Sequence, residues 1–237
     1  MRRTFKTTAA GLALGLGLAT AGSAATLDFL GMADNLGEEA VEFSPSINPI
    51  QNSYVPIKTT AIGYSGNSGQ DLTDLTDAGA WAYLDSNSAG MGVCSDGINA
   101  SRQCTDPGDD NIQLGEVLGL SWATSMAIES LSFRGEGHPG EPDFTSPESF
   151  DVSFDSGATW STLELVNAQF GSVTVNGFVE AGDSLLLTTS DTGDNEQYYL
   201  SAAEVSAVPV PAAGILMLGA FGGMGGLAAL RRRKRAA

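Results

Sequence analysis

Runs in which apolar residues fall at every second position constrain this chain more than any other feature. Phe150, Val152 and Phe154 alternate fully, and Ile128, Leu131 and Phe133 nearly so. Successive side chains on a strand point to opposite faces, so this period belongs to an antiparallel sheet with one face on a core. Eleven short β-prone runs recur between residues 26 and 207, at 26–30, 40–43, 59–64, 81–84, 116–122, 127–133, 149–154, 160–165, 173–179, 185–189 and 198–206. Gly, Asp, Asn, Ser and Pro separate them, and nothing between reads as a long amphipathic helix. The expectation is an all-β fold, an antiparallel β-sandwich of jelly-roll type. Residues 155–159, Asp-Ser-Gly-Ala-Thr, read as a hairpin connection with Gly157 available for a left-handed conformation.

The C-terminus has a different character. Val208-Pro209-Val210-Pro211-Ala212 leads into an uncharged apolar run, 212–230, and then Arg231, Arg232, Arg233, Lys234 and Arg235. As a helix at 1.5 Å per residue that run is about 28 Å long, close to the roughly 30 Å of a bilayer's hydrocarbon core. One membrane-spanning helix is expected, preceded by prolines that suit its boundary and followed by cations that stay cytoplasmic. Gly219 and Gly223, and Gly222 and Gly226, form GxxxG pairs, a spacing also usual in glycine-rich anchors.

Motif, helix and basic cluster in that order resemble the PEP-CTERM class of bacterial sorting signals. The variant most like it reads Val-Pro-Leu-Pro-Ala, with Val210 here where that variant has leucine. The resemblance covers residues 208–237. It implies an exosortase-type transpeptidase that cuts near the motif and hands the exported domain to the cell surface or matrix. The plainer alternative is a permanent type I membrane anchor.

The N-terminus reads as a signal peptide, residues 1–25. Arg2, Arg3 and Lys6 precede an apolar stretch too short to span, and Ala21-Gly22-Ser23-Ala24-Ala25 is a small-residue site for signal peptidase. Arg2-Arg3-Thr4-Phe5-Lys6 lacks the leucine of a full twin-arginine motif, which favours the general secretory route. The mature chain then begins near Thr26, leaving 26–207 as one exported domain with enough residues for a core.

Charge separates cleanly along the chain. The exported part carries all 28 Asp/Glu and only Lys58, Arg102 and Arg134, a formal charge of −25. Such a domain is repelled by nucleic-acid phosphates and anionic lipid. It attracts divalent cations, which would screen its self-repulsion and bridge it to acidic extracellular polysaccharide; the plainer reading is solubility alone. Cys94 and Cys104 are the only cysteines, and in an exported chain two cysteines pair.

Residues with catalytic chemistry are few. His138, the only histidine, sits in a loop-like Gly135-Glu136-Gly137-His138-Pro139-Gly140 stretch with no Gly-x-Ser-x-Gly elbow elsewhere. A histidine-based zinc site is excluded by count. Asp106-Pro107-Gly108-Asp109-Asp110-Asn111, followed by Glu116, gathers carboxylates and an amide on a turn, a composition that suits calcium although its spacing is not that of an EF-hand. Asp191, Asp194, Asn195 and Glu196 form a second acidic turn. The plain alternative for both is ordinary turn composition. The stretch from Ala82 through Gly90–Cys94 to Gly115-Glu116 is similar to a pattern common in exported PEP-CTERM sandwich proteins, a likeness that implies architecture and no activity.

Trp81 and Tyr83 fall on one strand face and would serve either as core or as a sugar-stacking platform; Trp122 and Trp160 lie elsewhere. The leading expectation is a non-enzymatic surface or matrix protein with a structural or adhesive role. A carbohydrate-binding module, calcium-dependent or not, is the first alternative. An envelope hydrolase built on a carboxylate pair is the second.

Overall fold

The computed structural model describes residues 23–41, 49–66, 79–106, 108–135, 148–165, 171–189 and 197–208. Among them the chain forms β1 (Ala24–Asp28), α1 (Phe29–Leu36), β2 (Glu39–Ala40), β3 (Thr60–Ser65), β4 (Trp81–Asp85), β5 (Gly90–Cys94) and β6 (Glu116–Ser121). Then come β7 (Met126–Gly135), β8 (Glu148–Ser153), β9 (Ser161–Leu165), β10 (Ser172–Val179), β11 (Ser184–Thr189) and β12 (Tyr198–Ala207).

All strand pairings are antiparallel. The larger sheet runs β10-β7-β12-β5-β4-β2, with β1 also paired to β12, and the smaller runs β3-β6-β11-β8-β9. The expected hairpin forms: Val152 of β8 pairs with Ser161 of β9, and Gly157 takes φ +90° in the connection. Apart from the β4–β5 and β8–β9 hairpins, every connection from β2 onward changes sheet.

One core joins the two sheets. Leu118, Phe150 and Leu187 of the smaller sheet belong to the same buried cluster as Met91, Phe133 and Leu200 of the larger. Phe133 and Phe150, on different sheets, have ring centroids 4.4 Å apart, and Tyr198 meets Phe133 edge-on at 5.2 Å. Each such large side chain taken out of water is worth about 1.5–3 kcal/mol. The sandwich-like all-β expectation therefore holds.

Two local expectations change. The run 26–30 divides at Phe29, where the chain leaves β1 and enters α1. β1 occupies one edge of β12 from Ser206 to Ala202, and that edge passes to β5 at the Leu200–Met91 pair, so β1 has no partner beyond Asp28. Asp28 then caps the helix by accepting from Gly31 N at 2.8 Å. Phe29, Met32 and Ala33, spaced i, i+3, i+4, go into the core. β5, Gly-Met-Gly-Val-Cys, was not among the expected strands. A Cβ on Gly90 would lie 2.6 Å from Leu200 O, and one on Gly92 would lie 2.2 Å from Asp110 O, so the two glycines serve close backbone approach.

The domain's two ends lie side by side, with Ala24 of β1 opposite Ser206 of β12. Val208 N still donates to Ser125 O at 2.9 Å. Among the described residues no helix is long and apolar enough to cross a membrane. The expected helix 212–230, the motif beyond Val208, the basic tail Arg231–Arg235, signal residues 1–22, His138 and the second acidic turn lie outside the described residues.

Candidate functional site

The connection between β5 and β6 folds back over the outer face of the larger sheet. Cys94 and Cys104 form the expected disulfide. Between them the chain makes a small hairpin, with Thr105 N donating to Gly97 O and Asn99 N to Gln103 O, both at 2.9 Å. Its tip is tied to β2, where Ala40 N donates to Arg102 O at 2.9 Å and Arg102 faces Glu39 at 3.7 Å. Beneath it lies a small apolar cluster of Ala40, Tyr83 and the two cysteines, with Trp81 and Ile98 against it.

Tyr83 is consequently 2% exposed and presents no ring face to a sugar. Burial pushes its hydroxyl up to about 12. Trp81 is half-buried against the same cluster, and Trp122 is core, its Nε1–H donating to Thr59 Oγ1 at 2.9 Å. The sequence pattern had placed Trp81 and Tyr83 together, and so does the fold, but under cover.

After the disulfide, residues 109–112 run alongside β5. Val93 N donates to Asn111 O at 3.0 Å, and Ile112 bridges to Tyr198 of β12. This passage buries Asp109 (5% exposed), Asn111 (0%) and, at the start of β6, Glu116 (3%). Of the five residues expected around a cation, Asp106, Asp110 and Asn111 each make a hydrogen bond elsewhere. Asp106 stays exposed, its Oδ1 accepting from Gly108 N at 3.0 Å. Asp110 accepts from the Tyr199 hydroxyl at 2.7 Å, while Asn111 Nδ2 donates to Gln197 Oε1 at 2.7 Å.

Asp109 and Glu116 are brought together. Asp109 Oδ2 accepts from Ser95 N at 2.8 Å and Asp96 N at 2.5 Å, and its Oδ1 accepts from Gln113 Nε2 at 2.6 Å. Glu116 Oε2 accepts from Gln113 N at 3.2 Å, and Ser95 and Asp109 are its polar neighbours. Burial, followed by the nearby Asp109 charge, pushes the Glu116 carboxyl up to about 9. Two carboxyl groups thus share the space under the disulfide loop. Glu116 Oε1 is buried and makes no hydrogen bond.

The site also recruits residues that the sequence did not single out. Gln197 Nε2 donates to Gln113 Oε1 at 3.1 Å, across 84 positions of sequence. Ser95 and Gln113 lie near enough in sequence to be found by asking which polar side chains flank an acidic turn; Gln197 carries no such signal. The two sulfurs and an Asp109 oxygen lie within 4.8 Å of one another, but a disulfide leaves no thiolate for a soft metal. No protein-family model matches the chain, and no curated protein matches it.

Proposed function

We propose that the chain is an exported, non-enzymatic surface or matrix protein whose acidic sandwich, jelly-roll-like in connectivity, is displayed through a PEP-CTERM-type sorting signal. Signal peptidase would remove residues 1–25, the helix 212–230 would hold an inner-membrane intermediate with its C-terminus in the cytoplasm, and an exosortase-type transpeptidase would process the motif at 208–212. The observation that carries this reading is the succession, in the sequence, of motif, apolar run and five-residue basic cluster. Cleavage after Ala25 would remove the Ala24–Ser206 and Ala25–Val205 pairs of β1 and leave Thr26, Leu27 and Asp28 paired, and the motif begins at the residue after β12 ends.

The role is structural or adhesive, with extracellular polysaccharide as the partner that its charge of −25 and divalent cations would reach. Against the carbohydrate-binding alternative stands Tyr83, which lies beneath the disulfide hairpin. Intact-mass analysis of protein from envelope and medium tests the reading. A mass ending near Pro211 or Ala212 supports it, with or without an attached group; a chain ending at Ala237 overturns the sorting step and leaves a permanent anchor.

A further inference from the structure

The centre under the disulfide loop has a polar atom that its surroundings do not satisfy. Glu116 is 3% exposed and its Oε1 has no hydrogen-bond partner. Leaving a buried polar atom unpaired costs about 1–3 kcal/mol, more for a charged group, and native folds keep few of them. Beside it stand the Asp109 carboxylate and the Ser95 hydroxyl, itself within 3.2 Å of Asp109 Oδ1. The groups acting most strongly on Glu116 are its own burial, Ser95, Asp109 and Gln113.

We propose that Glu116, Asp109 and Ser95 form a divalent-cation site, selective for calcium, that fastens the disulfide loop to the start of β6. The donor set is all oxygen, which excludes soft metals and suits Ca²⁺, Mg²⁺ or Mn²⁺. Burial chooses among these. Mg²⁺ dehydrates reluctantly and keeps several waters, whereas Ca²⁺ accepts irregular oxygen cages from loops. Asp109 Oδ2 holds the N–H donors of Ser95 and Asp96 and Oδ1 that of Gln113, so a cation would use the remaining lone pairs of a carboxylate already fixed in place. Asp106 and Asp110, with other partners, take no part. The site lies in the domain's interior and does not depend on the fate of the tail.

The test uses the full-length chain in detergent, stripped with a chelator and titrated with calcium chloride by calorimetry, with magnesium chloride in parallel. The expected result is saturable binding of one Ca²⁺ per chain, at least tenfold tighter than Mg²⁺, with a rise in Tm. Glu116→Gln should weaken that binding at least tenfold while keeping the disulfide and the near-UV spectrum, and Asp106→Asn should bind like the wild type. Absence of saturable calcium binding to the wild type overturns the proposal whatever the variants do. So does a Glu116→Gln protein that binds calcium as tightly as the wild type, because the cation would then sit on surface acids.

Discussion

Gln113 donates from Nε2 to Asp109 Oδ1 at 2.6 Å, and this one bond orders three amides. With its nitrogen committed to the carboxylate, Gln113 turns Oε1 toward Gln197 Nε2 at 3.1 Å. Gln197 in turn offers Oε1 to Asn111 Nδ2 at 2.7 Å. The chain of amides links the acidic turn to the beginning of β12, so the loop and the sheet share one polar network. Networks of this kind rigidify when every member is satisfied.

Gln113→Leu should therefore cost more than a surface substitution. It strands acceptors on Asp109 and a donor on Gln197 in a partly buried setting, a loss of about 1–3 kcal/mol. Urea unfolding should show a lower midpoint with an unchanged slope. A midpoint equal to the wild type would mean that solvent replaces the network freely.

In calcium-free protein, stability should fall as pH rises. The Glu116 carboxyl ordinarily titrates at 4.5 and is held at about 9 in the fold, so the folded state keeps a proton that the unfolded state releases. Its contribution is complete below pH 4.5, declines across the window from 4.5 to 9 and is flat above it. For one proton the slope approaches about 1.4 kcal/mol per pH unit inside that window. Glu116→Gln should flatten this component, as read by the difference between the two proteins' denaturation curves at pH 6 and pH 8.

Removing both cysteines by Cys94→Ala and Cys104→Ala should destabilise the fold by roughly 2–3 kcal/mol, since the closed loop is short. The change should be local first. Hydrogen exchange is expected to accelerate in the hairpin 97–105 and around Tyr83 before it does so in β7 or β12. Uniform acceleration would mean that the hairpin and the sheet open as one unit.

Gly92→Ala should be among the costliest single-methyl additions in the domain. The new Cβ would stand 2.2 Å from Asp110 O and 2.6 Å from Asn111 Cα, both backbone atoms. Overpacking of this sort costs about 1–3 kcal/mol or more, because the strand or the passing segment must move. Gly108→Ala is the control: its nearest atom is an Asp106 side-chain oxygen at 3.6 Å, and Tm should hardly change. Equal losses for the two variants would remove the close-approach explanation.

Much of the fold was legible because it rests on local periodicity. Alternation at Phe150, Val152 and Phe154 located β8, and the turn residues at 155–159 located the hairpin that follows. Where local signal and long-range packing diverge, the reading changed. Gly-Met-Gly-Val-Cys has poor strand propensity, yet it is a central strand because its glycines admit Leu200 O and Asp110 O. Phe29 and Leu30 continue an apolar run but turn helical, because β5 occupies the edge of β12 that β1 would need.

By itself, the amino-acid sequence determined the all-β class, the pairing of two lone cysteines and the extreme separation of charge along the chain, all properties of neighbours in sequence or of counting. Tertiary structure decided which acids meet. Asp106, Asp109, Asp110, Asn111 and Glu116 are close in sequence, yet only Asp109 and Glu116 share a buried centre, completed by Gln113 and by Gln197 just before β12. The reason is physical: burying a carboxyl group is costly unless donors meet it, and the crossing of the β5–β6 connection over the sheet brought Ser95 N, Asp96 N and Gln113 Nε2 to Asp109 while leaving Glu116 Oε1 without a hydrogen bond.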